Sequence, residues 1–272
     1  MQKEIPILFS TPMVQAILDG RKTMTRRLLD PQPWYGSQVP GGPHFIYPPG
    51  SGQRFNAVGS KNGNWYVMDE SFQPIFSKMA KWQPGDILWV RESFRISNWV
   101  ADDGEICFRY EADGAVSPYL YVDTIKSDGE KFVKYWEQSC DDLSKAGYQP
   151  NDDERYEDFD YKALRLRPNI FMPKEAARIW LHVTDVRVER LHDITEEDAI
   201  AEGVEQNRDG SWHDYLEPES LCQDTAKASF KSLWMKINGA ESLEANPWVW
   251  VVSFNVLSTT GKPSLQTEKN KA

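Results

Sequence analysis

The chain has 272 residues, of which 40% are hydrophobic and 26% charged, and a formal net charge of −10. That profile suits one large domain, or a domain with insertions, around a substantial core. No run approaches the ~18 apolar residues of a membrane span, so no membrane partner is expected. The first six residues carry no apolar signal stretch. Three scattered cysteines, Cys107, Cys140 and Cys222, cannot build a disulfide framework or a Cys-rich zinc site. The expected compartment is the cytoplasm. The acidic balance argues against gripping long nucleic acid through bulk charge, but it leaves room for a local basic pocket or a small nucleoside ligand.

In chain order, Ile5-Pro6-Ile7-Leu8-Phe9 predicts a short apolar strand. A helix follows over 10–20. Thr11 caps its free N–H groups, Pro12 suits the first helical position, Met13, Val14, Ile17 and Leu18 form an apolar face, and Gly20 stops it. Residues 31–64 are rich in Gly, Pro, Ser and Asn, which predicts a long loop or an inserted subdomain. Trp82-Gln83-Pro84-Gly85-Asp86 predicts a turn into a buried strand over 87–90, followed by Arg91-Glu92. Another strand is expected over 105–110, then a turn at Ala112-Asp113-Gly114. The acidic stretch 137–160 reads as a solvated insertion, because it lacks the glycine and terminal glutamate of a calcium loop.

Order resumes at Ile170-Phe171-Met172-Pro173, with a short helical turn over 174–179 and a long strand over 181–190. Thr195 with Asp198 makes a capping signal for a short helix that stops at Gly203. Phe230, Leu233, Trp234 and Ile237 share one face of a further helix ending at Asn238-Gly239. Residues 248–254 are apolar on both faces, hence a central strand, and a polar, frayed tail is expected from Ser258. Strands and short helices mingle without βαβ alternation, which favours an α+β domain around a curved sheet or small barrel.

One segment stands out: Gly20-Arg21-Lys22-Thr23-Met24-Thr25-Arg26-Arg27 places four cations and two hydroxyls in eight residues of an acidic chain. A solvated basic turn beside a helix C-terminus explains it through the helix dipole; a reactive site explains it through chemistry. His44, His182, His192 and His213 are dispersed without metal-ligand spacing, so neither a metal nor a cofactor is expected. Arg91-Glu92 reads as an ordinary cross-strand pair, the commoner arrangement, or as a polar clamp at a pocket rim. Trp89, Trp248 and Trp250 read as core.

The Gly-Arg-Lys-Thr-x-Thr run from Gly20, the Gly-Asp-x-Leu-x-Val run from Gly85, and the Ile-Thr-x-x-x-Ala-x-x-Glu-Gly run from Ile194 resemble the ASCH domain, a PUA-like β-barrel. Trp89-Val90-Arg91-Glu92, Val186-Arg187-Val188-Glu189-Arg190-Leu191, Ala201-Glu202-Gly203 and Asn246-Pro247-Trp248-Val249-Trp250 are similar to the longer ASCH proteins of bacteriophages and prophages. The resemblance covers residues 5–30, 80–115 and 168–257. It implies one PUA-like domain over 1–257 with short flanking helices, insertions at 31–79 and 116–167, and a flexible tail over 258–272. It also implies recognition of a nucleoside or RNA base. Small bacterial members are amidohydrolases that remove the acetyl group from N4-acetylcytidine, and other members are linked to RNA binding or cleavage. By position, Lys22, Thr25 and Glu202 match the acting lysine, threonine and glutamate, and Arg27 matches an arginine of the same segment. Arg26, Arg91 and Glu92 stand with Arg27 as substrate-binding candidates. The rival readings are a non-catalytic module for short RNA or a protein partner, and a ribonuclease using the same lysine.

Amide hydrolysis needs a nucleophile, a proton acceptor and a donor for the leaving amine. The Thr25 hydroxyl is a candidate nucleophile, and Lys22 a base if burial or neighbouring arginines depress its pKa. Glu202, at a helix end, would shuttle the proton, and Arg27 or backbone amides would hold the oxyanion. In a regular strand Lys22 and Thr25 face opposite sides, so the arrangement requires a turn or bulge between them.

Overall fold

The computed structural model describes residues 3–29, 56–61, 64–68, 74–79, 81–122, 130–152, 155–219 and 221–263. In chain order the elements are β1 (Glu4–Leu8), α1 (Thr11–Leu18), β2 (Met24–Leu28), β3 (Asn56–Lys61), β4 (Asn64–Met68) and β5 (Pro74–Met79). Next come β6 (Ile87–Arg91), β7 (Phe94–Val100), β8 (Glu105–Tyr110), β9 (Leu120–Tyr121) and α2 (Glu130–Lys145). The remainder are β10 (Trp180–Arg190), α3 (Glu196–Ala201), β11 (Trp212–His213), β12 (Cys222–Gln223), α4 (Ala226–Asn238), α5 (Ala240–Glu244) and β13 (Trp248–Ser258). The chain is mixed α/β, with several sheets and few helices; no closed barrel is found among the described residues. No described helix is long and apolar enough to cross a membrane.

The chain forms two compact units. The first comprises Met1–Gln2, Asp19–Asp86 and His182–Asn255, and the second Lys3–Leu18, Ile87–Leu181 and Val256–Ala272. In the first unit β2 runs antiparallel to β13, from Met24 opposite Ser253 to Leu28 opposite Val249, without a register shift. The strand order there is β10-β13-β2, and β3-β4-β5 form a separate antiparallel sheet. One face of β2 and β13 sends Met24, Val249 and Val251 into a core with Ala199 of α3 and Phe230 and Trp234 of α4. The turn predicted at 82–86 forms: Gly85 takes φ +93, and the Asp86 N–H donates to the Gln83 carbonyl.

In the second unit β1 pairs parallel with β6, and β7, β8 and β9 form an antiparallel sheet. Phe94, Ile96, Ile106 and Phe108 from that sheet pack with Phe132 and Leu143 of α2. Residues 137–145 of the acidic stretch are the second half of a 16-residue helix. Phe132, Tyr135, Ser139 and Leu143 recur at helical spacing and put one face of α2 on the core. Its acidic exterior hid that face: Asp141 and Asp142 form ion pairs with Arg165.

Two corrections concern ends. α1 starts at Thr11, with the Ser10 carbonyl accepting from the Val14 N–H, so Pro12 occupies the second helical position, still in the first turn where its missing donor costs nothing. The tail is tied down further than expected. The Gly261 N–H donates to the Arg178 carbonyl and Lys262 forms an ion pair with Glu4 at 2.9 Å. The rest of the expected tail, and the Gly/Pro-rich 31–55, lie outside the described residues; 56–61 of that expected loop is strand β3.

α3 shows how local chemistry sets an element. Thr195 is its N-cap, the side chain accepting from the Asp198 N–H at 3.1 Å, and Gly203 leaves it at φ +87. Asp198 does not return the favour of a capping box; its carboxylate goes to Arg26 and Arg187. Thr195→Ala should cost about 1 kcal/mol of stability, read as a lower Tm in thermal unfolding, whereas Thr195→Asp should leave Tm near the parent value.

Candidate functional site

The basic segment after α1 folds onto the C-terminus of α3, not its own helix. The Arg21 guanidinium donates to the Gly203 carbonyl at 2.6 Å, the Lys22 amine to the Glu202 carbonyl at 2.7 Å, and the Thr23 N–H to the Ala201 carbonyl at 2.9 Å. Three successive residues thus occupy carbonyls that a helix end leaves without partners, where the dipole favours cations. These contacts bring together residues some 180 positions apart. The Lys22 amine also forms an ion pair with Glu202 Oε2 at 2.8 Å, and both side chains are buried: Lys22 is 0% exposed and Glu202 4%.

Around that pair lies a balanced charge network. Arg26 reaches Glu202 Oε1 at 3.4 Å, Asp198 Oδ2 at 2.6 Å and Glu189 Oε2 at 3.0 Å. Its guanidinium also lies 5.8 Å from the centre of the Phe230 ring. Arg187 meets Asp198 at 3.0 Å, together with Glu189 and Asp185. Arg27, half-buried, lies near enough to Glu202 to feel its charge. Lys22, Arg26, Arg27 and Arg187 therefore stand against Asp185, Glu189, Asp198 and Glu202. The four cations and four carboxylates of this network balance in formal charge.

Burial pushes the Lys22 amine below its ordinary pKa of 10.5. The adjacent Glu202 carboxylate opposes that shift, and Arg27 and Arg26 reinforce it. Burial likewise lowers Arg27, against the pull of Glu202. A lysine with a depressed pKa carries a larger share of neutral amine, the form that accepts a proton.

The sequence-predicted residues are placed as follows. Lys22 and Glu202 are in contact. Thr25 is buried on β2 opposite Val252, and among the described residues its side chain hydrogen-bonds to neither of them. The physical reason is strand alternation. β2 is regular from Met24, so Met24 and Arg26 share the face toward α3 and α4, and Thr25 and Arg27 project from the other. The turn at 19–20 precedes both residues, and residues 21–23 run irregularly into β2, which has no bulge. Arg26 is enclosed by three carboxylates and orients them. Arg91 and Glu92 belong to the second unit and do not pair with each other. Glu92 is held by Arg178, with Nε at 2.9 Å and Nη2 at 2.8 Å, while Arg91 donates to the Ile170 carbonyl.

Sequence reasoning passed over Asp198, Glu189 and Arg187. A signal existed: Asp198 and Glu202 are four residues apart on α3, and Arg187 and Glu189 two apart on β10, so each pair shares a face. Among the described residues, no group of three or more His, Cys, Asp or Glu side chains is placed to hold a metal ion. No family model, no curated protein and no solved structure matches the chain.

Proposed function

We propose that the Lys22–Glu202 pair is the acid–base centre of a site for a neutral nucleoside or RNA base, of the ASCH type on a PUA-like scaffold. Its best-matched reaction is hydrolysis of the acyl group from an N4-acylcytosine. The single observation that carries this reading is a fully buried lysine amine 2.8 Å from a buried carboxylate, with its pKa depressed. A buried ion pair is expensive to maintain for stability alone, since well-packed apolar side chains often do as well. The neutral amine takes the proton from the attacking hydroxyl, whose oxygen adds to the acyl carbonyl carbon. Glu202 carries the proton to N4 as the C–N bond breaks, which releases cytosine and leaves the acyl group on the attacking oxygen. Arg27 steadies the oxyanion. With Thr25 as the proposed source of that hydroxyl, the acyl group passes to its oxygen as an ester that a water then hydrolyses; direct attack by water on the substrate yields the free acid at once and makes Thr25 dispensable, and Thr25→Ala separates the two.

The test is release of cytidine from N4-acetylcytidine by the purified protein. Lys22→Met should lower the rate by roughly 10²-fold or more while circular dichroism shows a folded chain. The rate should climb with pH through an ionisation below 10.5, and that limb should vanish in Lys22→Met. A wild-type protein inert toward acetylated cytidine and deoxycytidine removes the proposal. A second reading, that Lys22 is only a brace in a non-catalytic module, is favoured by the capping of α3 by Arg21, Lys22 and Thr23. That brace predicts lost stability in Lys22→Met with no activity to lose.

A further inference from the structure

The second unit contains a cleft of about 660 Å³, within the range of small-ligand sites. Its walls come from β6, one face of α2 and the segment 165–174. Six lining side chains are cations, Arg91, Lys131, Lys134, Arg165, Arg167 and Lys174, and no lining side chain is a carboxylate. For a chain of net charge −10 this is a local inversion of sign. Some of that charge is answered from just outside the cleft: Arg165 by Asp141 at 3.2 Å and by Asp142, and Lys174 by Glu4 at 2.6 Å. Arg91, Lys134 and Arg167 form no ion pair among the described residues. Arg167 donates only to neutral Gln138, at 2.6 Å, and Arg91 only to the Ile170 carbonyl. Among the described residues the Nε atoms of both guanidiniums have no hydrogen-bond partner. Burial lowers the pKa of each, and for Arg167 the nearby Arg165 adds repulsion. An anion in the cleft would relieve that cost.

Three features narrow the anion. Guanidiniums match phosphate oxygens in pairs, as planar forks. Aromatic rings stand beside them: Arg91 lies 5.6 Å from the Trp89 ring centre and Arg167 5.3 Å from that of Tyr135. At the lip Phe171 is 62% exposed and Ile170 55%, an apolar cost in water that a planar base would cover. The lip is fixed beforehand, because the Tyr135 hydroxyl donates to the Phe171 carbonyl at 3.0 Å.

We propose that this cleft binds a nucleoside phosphate, as a free nucleotide or as the end of a single strand, with Arg91, Lys134 and Arg167 on the phosphates and Phe171 against the base. It is a second binding site, and it does not depend on acyl hydrolysis at Lys22. A concave site of this volume admits such a ligand, whereas a bilayer surface cannot enter it.

The experiment measures fluorescence anisotropy of a labelled short single-stranded RNA with the full chain, with competition by cytidine triphosphate and by inorganic pyrophosphate. Phosphatidylserine vesicles form a separate arm. Two or three phosphate contacts should weaken strand binding about 7- to 20-fold between roughly 50 and 200 mM salt. Lys134→Glu should weaken binding and flatten the salt dependence by about one contact, and Phe171→Ala should weaken it about tenfold. Both side chains project from the surface or its lip, so both variants should fold. Competition by the triphosphate at the strand's own affinity assigns the site to free nucleotides; binding of the strand alone assigns it to strand ends. The proposal is overturned if neither binds at low salt, if pyrophosphate competes as well as the triphosphate, if both variants bind like the parent, or if vesicles alone bind in a Lys134-dependent way. None of these outcomes bears on cytidine release, so the two proposals fail separately.

Discussion

Arg178→Met should cost the second unit about 3–5 kcal/mol and lower Tm by roughly 10 °C. Arg178 gives Glu92 two hydrogen bonds, at 2.9 and 2.8 Å, gives Asp113 a third at 2.7 Å, and lies 4.1 Å from the centre of the Tyr110 ring. Burial works against its charge, but Glu92 and Asp113 outweigh burial and hold its pKa above the usual guanidinium range. Glu92 is 1% exposed, and burial raises its own pKa against the pull of Arg178. Without the arginine a carboxylate remains where water cannot reach it, and its pKa rises further. The sign of the pH dependence follows. A raised carboxyl pKa means that the folded state binds more protons than the unfolded, so the variant is least penalised below about pH 4.5 and loses stability as pH rises. Adding Glu92→Leu should recover most of the loss, because the damage is an unpaired buried charge, not a missing attraction. Denaturant unfolding across pH measures both. A double variant no better than Arg178→Met, or a deficit independent of pH, contradicts the account.

That same pair shows where the sequence was legible and where it was not. Glu92 stood out, but its neighbour Arg91 was the obvious partner, because sequence adjacency is visible and an arginine 86 positions away is not. Local signals read well: Gly20, Gly203 and Gly239 all take positive φ at helix ends, and Thr195 caps α3. Strands read well where the run was apolar on both faces, as in 87–90 and 248–254. Periodicity failed in α2, whose buried residues are few and whose mean hydropathy is pulled down by acids that pair with Arg165. The same averaging concealed the basic cleft. Lys131, Lys134, Tyr135 and Gln138 share a helical face, and Arg165 and Arg167 alternate along an extended segment that bridges to Phe94. Net charge is a property of the whole chain, and binding responds to a few side chains on one wall.

Lys22→Met and Glu202→Leu should each cost about 3–5 kcal/mol, and the deficit of Glu202→Leu should depend on pH. Lys22→Met strands a buried carboxylate whose remaining ion pair is with Arg26, at 3.4 Å. Glu202→Leu strands the amine. Burial already lowers that amine below 10.5, and removing the carboxylate removes the chief opposing influence. A base whose pKa is depressed in the folded state contributes stability above its unfolded pKa and loses it as pH falls through the folded one. The Glu202→Leu deficit should therefore shrink between about pH 7 and 10, whereas that of Lys22→Met should not. The double variant should approach the parent in Tm, giving a coupling energy of several kcal/mol. Glu202→Gln then separates brace from proton carrier: the amide still accepts from Lys22, so most stability should survive, yet it cannot shuttle a proton to a leaving amine. Loss of cytidine release in a variant of near-parent Tm places the acid in the reaction, while release at the parental rate would leave Lys22 and Glu202 as a structural pair at the end of α3.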